Sequence, residues 1–284
     1  VLVSKDDIVE NAGGSFRAKT LYLPEGKKPL ILTQNQVNYY TYMIDGNGDN
    51  LPDQNGDGFA SKLILDSSGK LANEYVDKNG NTLTGEYDLI PILNSFISAH
   101  PDFSYQGAKA IISVSGSDGL FGYRTNPGAK QWLKDKYDLE VENAKKIAEA
   151  LRNDGYEIAC YTYDNISYGK KSLDQVQDDL KKWKDEVTPI LGNVDILVFA
   201  QENDLTENTP YSGDKFNALM NAGFRYYFGF CQDGKLWADV QDNYFRQARI
   251  MVKGASLKYN SSWFNDILKP IEILSSTRGT IPQS

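Results

Sequence analysis

Histidine is almost missing from this chain: 284 residues hold one, His100. That excludes any metal site built on a pair of imidazoles. Cysteine is nearly as scarce, since Cys160 and Cys231 are too few for a disulfide framework. Each lies in a strand-like stretch, which favours two buried thiols, although one bridge between them stays open. No apolar run is long enough to cross a bilayer as a helix. Basic residues number 30 against 38 acidic ones, a net charge of −8. That balance argues against a nucleic-acid partner or an anionic membrane surface. No basic cluster gathers aromatic residues, so single-strand binding has no footing either. Methionine is rare (3) and tyrosine plentiful (18). With frequent Asn and Gly, this composition suits an extracellular or cell-surface protein that faces carbohydrate. The chain opens at Val1 with neither Met nor a signal peptide, as a trimmed chain would. A removed N-terminal segment carrying a lipid anchor is compatible with that start.

The chain is long enough to bury a full core. Leu30, Ile31 and Leu32 follow Pro29 as a short apolar run, the pattern of a buried strand. Polar Thr33, Gln34, Asn35, Gln36 and Asn38 come next, placing amides where that strand leaves the core. In α/β folds, chemistry gathers at the carboxyl ends of strands. Residues 1–28 read as an N-terminal extension laid against one domain spanning 29–284. Residues 45–58 are a polar Asp/Asn/Gly insert. Ser61–Asp66 and Leu71–Val76 flank Ser68-Gly69 as a β-hairpin, and Asn79-Gly80-Asn81 makes another turn.

Beyond residue 88, helices and apolar strands alternate. Helices are expected at Asp88–Ala99, Val141–Arg152, Leu173 to about Val187 (capped by Ser172) and Asp214–Ala222. A last helix is expected from Trp263 to Leu274, interrupted at Pro270. Strands are expected at Ala110–Val114, Tyr156–Thr162, Asp195–Phe199 and Arg225–Phe230. That alternation predicts βα units around a mostly parallel sheet or barrel.

Asp45, Asn47, Asp49, Asp53 and Asp57 are the metal candidates. Asp45-x-Asn-x-Asp49 gives the 1-3-5 oxygen pattern of a calcium loop, with Asp53 at position nine. Gly56 stands where an EF-hand needs a bidentate Glu, so short extracellular Asp repeats are the nearer model. A solvated turn-rich insert explains the same residues equally well, and any calcium would be structural. His100 precedes Pro101 at a helix end, where a protonated imidazole favours the helix terminus. Glu202 and Asp204 follow the fourth strand and, with Asp164, offer a metal-free acid/base set. Exposed loop carboxylates are the ordinary reading of all three.

Several stretches resemble the polysaccharide deacetylase (NodB-homology) family. They are Pro29-Leu-Ile-Leu…Val37-Asn-Tyr-Tyr40, Gly58-Phe-Ala-Ser-Lys-Leu, His100-Pro-Asp-Phe-Ser-Tyr-Gln-Gly-Ala-Lys109 and Gly122-Tyr-Arg-Thr125. Ala144–Gly155, Gly223-Phe-Arg-Tyr and Tyr244-Phe-Arg-Gln-Ala-Arg249 continue the series, so the resemblance runs over about 28–255. It implies a distorted (β/α) barrel whose members remove acetyl groups from glycans with a divalent metal. In that family an Asp pair supplies the base and one ligand, and a His-x-x-x-His pair completes the metal site.

Here Asn35 and Gln36 fall on the two Asp positions, and Tyr161 and Asn165 on the two His positions. Phe199-Ala-Gln-Glu202 replaces an aromatic-Pro-aromatic-Gly turn of the substrate groove. Neutral amides bring no anionic charge to a metal, and neither Asn nor Gln accepts a proton near neutral pH. The resemblance therefore implies a secreted or cell-surface pseudo-deacetylase, with no cofactor at the former catalytic site. Its residual cleft would hold a glycan or peptidoglycan-type polysaccharide. Arg124, with Asp118, Tyr123 and Tyr163, would line that cleft, and Tyr39, Tyr40, Tyr42, Tyr161 and Glu202 would stand near it. A structural ion pair accounts for Arg124 at least as well. Two alternatives remain: an active hydrolase with a relocated carboxylate site at Asp164, Glu202 and Asp204, and a protein-interaction module presenting the tyrosines.

Overall fold

The structure is a computed structural model that describes residues 1–40, 60–77, 79–206, 210–231, 233–265 and 267–275. The calcium-loop candidates Asp45, Asn47, Asp49, Asp53 and Asp57, and Tyr42, lie outside the described residues. The chain is a mixed α/β protein built on one seven-stranded sheet with two smaller sheets beside it.

Helix α1 (Lys5–Ile8) leads into a hairpin of β1 (Val9–Ala12) and β2 (Ser15–Ala18). Strand β3 is Thr33–Gln34, one step later than the apolar run suggests. Leu30 instead bridges Leu2, so the N-terminal segment claims that run. β4 (Ala60–Leu65) and β5 (Leu71–Val76) form the expected hairpin, and β6 (Thr82–Gly85) makes it a three-stranded sheet. The large sheet continues with β7 (Ile111–Val114), β8 (Glu157–Cys160), β9 (Ile196–Val198), β10 (Tyr226–Phe230), β11 (Ala238–Val240) and β12 (Phe245–Arg249).

The helices between them follow from spacing and caps. α2 (Leu89–Ala99) starts where the Asp88 carboxylate accepts from Leu89 N, and its backbone ends at His100 against the Phe96 carbonyl at 2.8 Å. α3 (Tyr137–Asn153) buries Ala144, Ile147, Ala148 and Leu151, the i, i+3, i+4, i+7 stripe of a core-facing helix. α4 (Leu173–Lys182) begins in a capping box between Ser172 and Gln175, and a π-helical stretch, Trp183–Val187, prolongs it. α5 (Asp214–Asn221) buries Phe216 and Leu219. α6 (Gly254–Tyr259) was not expected, and the expected last helix is broken: a 3-10 turn, Ser261–Phe264, and a final helical turn, Pro270–Ile273, stand in its place. No helix among the described residues is long and apolar enough to cross a membrane.

The sheet order is β11-β12-β10-β9-β8-β7-β3, with every pair parallel except β11–β12. From β3 to β12 each new strand adds at the same edge. Right-handed crossovers then put the helices on one face only. Side-chain alternation shows the two faces. Ile112, Val114, Ile158, Cys160, Leu197, Phe199 and Tyr227 point to the helices and join the main core. Ile111, Ala159, Tyr161, Val198, Phe228 and Phe245 point the other way and form a second core.

That second face curls on itself. Five strand spacings separate β12 from β3, about 24 Å if the sheet were flat. Yet Arg249 at the end of β12 reaches Thr33 of β3 at 3.1 Å. The enclosed face is sealed at the strands' amino ends by the N-terminal hairpin, where Phe16 meets Tyr226 edge-on at 5.2 Å. Buried Lys5 there bonds Glu157 at 2.8 Å and lies 4.4 Å from the Tyr226 ring centroid. The carboxyl ends of the strands form the opposite end.

Candidate site at the strand carboxyl ends

Most of the polar residues after β3 are ties within the fold. Gln34 donates to the Asp88 carboxylate at 2.9 Å, and the Tyr39 hydroxyl donates to the same group at 2.9 Å. Asn38 is fully buried and exchanges bonds with Ser115 O at 2.7 Å and Ser115 N at 2.9 Å. These contacts fasten the loop after β3 to α2 and to the loop after β7.

Asn35 is different. Its Oδ1 accepts from Arg249 Nη1 at 2.8 Å, and its Nδ2 lies 3.5 Å from both the Tyr161 hydroxyl and Met251 Sδ. Three strand ends, those of β3, β8 and β12, thus meet at one amide. Arg249 is 9% exposed and belongs to the enclosed face, two residues of alternation beyond Gln247 and four beyond Phe245. Its Nη1 spends both hydrogens on Thr33 Oγ1 and Asn35 Oδ1, and its Nε donates to Gly229 O at 3.2 Å. Nη2 has one contact, Phe199 O at 3.5 Å. No carboxylate among the described residues lies within 4 Å of this guanidinium. Burial lowers the Arg249 pKa to about 10, which still leaves it charged at neutral pH. Burial raises the Tyr161 phenol, and the Arg249 charge partly offsets that rise.

Backbone strain concentrates at the same end. Gln36, Tyr39, Thr162, Asn165, Gln201 and Glu202 all have positive φ, and all follow β3, β8 or β9. Thr162 at φ +62° is β-branched and fully buried, an arrangement that costs energy wherever it occurs. Strained non-glycine residues gather at functional sites, because only a dense surrounding structure can hold them.

Of the four positions that the resemblance would place on a metal-binding motif, the structure joins two, Asn35 and Tyr161. Gln36 turns its amide to the Tyr40 hydroxyl at 3.2 Å, and the Asn165 carbonyl accepts from Gln201 Nε2 at 2.7 Å. An amide, a phenol and a thioether around a fixed guanidinium do not fit a divalent cation. None is an anionic ligand, and the guanidinium repels positive charge. Among the described residues, no three His, Cys, Asp or Glu side chains stand together as a metal site.

Arg124, Tyr123, Tyr163 and Tyr39 are each at least nine-tenths buried, so they do not line an open cleft. Arg124 holds Asp118 at 3.0 Å and Tyr39 O at 2.7 Å, while its own backbone N–H reaches Glu140 at 2.9 Å. Tyr163 donates to Glu186. Gly122, at φ +92°, lets this loop lie against β4, since a Cβ there would meet Ser61 O at 2.5 Å.

The three carboxylates of the relocated-site alternative do not converge. Asp164 pairs with Lys182 at 2.8 Å and Glu202 with Lys253 at 2.7 Å. Asp204 Oδ2 would stand 2.1 Å from a Cβ on Gly229, a position that shares the helix-side face with Tyr227. The sheet therefore lies between Asp204 and the enclosed face that carries Arg249. Cys160 and Cys231 are buried free thiols.

Arg249 went unseen in the sequence because β12 did. In FRQAR only every second residue faces the enclosed core, and two arginines hide the alternation. Phe245, Gln247 and Arg249 on one face were the available signal.

Two surface clefts lie elsewhere. One, of about 1010 Å³, runs between the three-stranded sheet and helices α2 and α3, past Lys70, Glu86, Asn94 and Lys109. The other, of about 840 Å³, lies between α4 and α5. Neither carries backbone strain comparable to the strand ends. In the larger, Lys109 already donates to Asn94 Oδ1 at 2.6 Å and forms an ion pair with Asp154 at 3.8 Å.

No family model matches the chain, and no curated protein matches it. Among solved structures, it is similar to a 4-alpha-glucanotransferase from Thermococcus litoralis, with 10% identity and a TM-score of 0.33. That match covers 65% of this chain, which spans 27% of the glucanotransferase. It is also similar to PuuE allantoinase, with 12% identity, a TM-score of 0.36, and coverage of 86% of this chain and 72% of that one. Both likenesses are too loose to carry a functional argument.

Proposed function

We propose that this chain is a polysaccharide deacetylase-type barrel of the NodB-homology kind, secreted or held at a cell surface. In this reading it binds a glycan at its strand carboxyl ends without metal-dependent hydrolysis. One observation carries the reading: the 2.8 Å bond between Arg249 Nη1 and Asn35 Oδ1, with Tyr161 beside it. Deacetylation through a divalent metal needs anionic or imidazole ligands and a base at that place. The chain instead offers neutral hydrogen-bonding groups around a cation of its own. Amides, a phenol and a guanidinium are suited to hold a polar ligand, and none of them accepts a proton near neutral pH.

The experiment pairs binding with turnover. Calorimetry against acetylated chito-oligosaccharides and cell-wall fragments is expected to show binding. Acetate release in the presence of zinc or cobalt is expected to stay at the level of the protein-free blank. Release that a chelator abolishes would overturn the proposal.

A further inference from the structure

Arg249 presents an electrostatic imbalance. A charge taken out of water costs several kcal/mol unless it is paired. Ion pairs answer that need for other buried cations of this chain: Lys5 has Glu157 at 2.8 Å, Arg246 has Asp239 at 3.0 Å, and Arg124 has Asp118 at 3.0 Å. Arg249 is as deeply placed, yet only uncharged acceptors surround it among the described residues. Its donors are also incompletely used. A guanidinium has five N–H groups. Four are directed at Gly229 O, Thr33 Oγ1, Asn35 Oδ1 and, at 3.5 Å, Phe199 O, so one Nη2 hydrogen has no acceptor among the described residues. The neighbouring Tyr161 hydroxyl receives from Asn35 Nδ2, and its own hydrogen has no acceptor there either. Two unfilled donors and one positive charge with no carboxylate in contact therefore lie together at the strand ends.

No carboxylate among the described residues touches that charge. Asp204, across the sheet, and Glu202, on the strand-end loops, act on it from farther off, and Glu202 is itself paired with Lys253 at 2.7 Å. Asn35, bonded to the guanidinium, and Met251, beside Asn35, are themselves partly exposed. We propose that the strand-end site takes a ligand bearing a carboxylate, such as a uronic acid residue of a polysaccharide, received by Arg249 Nη2 and the Tyr161 hydroxyl. The carboxylate supplies the contact counter-charge that the described residues do not, and a planar guanidinium suits its geometry. The glycan part of this inference rests on the reading in the preceding subsection; the carboxylate part rests on Arg249 alone.

The test uses the whole chain and three probes: a galacturonic acid trisaccharide, neutral chitotriose, and free glucuronate. Binding is followed by calorimetry at low and moderate salt. Wild-type protein is expected to hold the acidic trisaccharide at least tenfold more tightly than the neutral one, with a preference that weakens as salt rises. Asn35→Asp places a carboxylate against Arg249 as an internal counter-ion, and is expected to erase that preference. Tyr161→Phe removes one donor without changing shape, and is expected to lower the preference three- to tenfold; it serves if Asn35→Asp fails to fold. Equal wild-type affinities, or a preference that both variants keep, would overturn the carboxylate subsite and leave glycan binding standing. Binding of glucuronate that Asn35→Asp abolishes, with neither trisaccharide bound, would support the subsite and sink the glycan reading. No binding of any probe would overturn both.

Discussion

Arg249 and Asn35 stand 214 residues apart in the chain and 2.8 Å apart in space. Their bond ties the end of β3 to β12, two strands that the sheet's backbone does not pair. It is at once the clasp of the curled sheet and the centre of the strand-end site.

Replacing Arg249 by Met should weaken the fold. Hydrogen bonds from a charged donor contribute about 1.5–3 kcal/mol each, and relief of the buried charge offsets part of their loss. The expected net loss is about 2–4 kcal/mol, read from urea unfolding as a lower midpoint. An unchanged midpoint would show that the clasp carries no stability.

A side chain at Gly229 is expected to be costly while Asp204 is present. An added Cβ would meet Asp204 Oδ2 at 2.1 Å, and that carboxylate is held by Leu205 N and Tyr211 OH, both at 2.5 Å. Gly229→Ala should cost about 1–3 kcal/mol, the range of an overpacked core. In an Asp204→Ala background the same change should cost clearly less. A double-mutant cycle with no coupling would refute the contact.

Asp204 should also leave a mark on the pH dependence of stability. Burial raises its carboxyl above the ordinary Asp value, and Oδ2 has no partner among the described residues. A raised acid binds its proton more tightly in the folded state. Its contribution is therefore complete below the unfolded Asp value, about 3.9, and declines as pH climbs through the folded value. Wild-type stability minus that of Asp204→Asn should fall over that interval as pH rises. A difference that is flat, or that rises with pH, would contradict the assignment.

The sequence showed the architecture better than the site. Alternating helices and apolar strands, the stripe on α3, the Ser172 cap and the Ser68-Gly69 hairpin all obey local rules, and the structure has each of them. Strand β3 was displaced because Leu30 is claimed by Leu2, a contact with the chain's far N-terminal segment. At the site, amides following an apolar run drew attention to Asn35, and the resemblance drew attention to Tyr161; the structure places the two side chains 3.5 Å apart. Arg124 looked equally available in the sequence, yet the structure consumes it within the loop that Gly122 lets approach β4. Arg249 depends on curling of the whole sheet, which no local pattern encodes.

The most direct measurement is a titration of the protein with zinc, and separately cobalt, followed by calorimetry in wild type and in Asn35→Ala. With a guanidinium fixed among uncharged donors at the strand ends, the two proteins are expected to give the same trace. One-to-one metal uptake by wild type that Asn35→Ala abolishes would contradict the account.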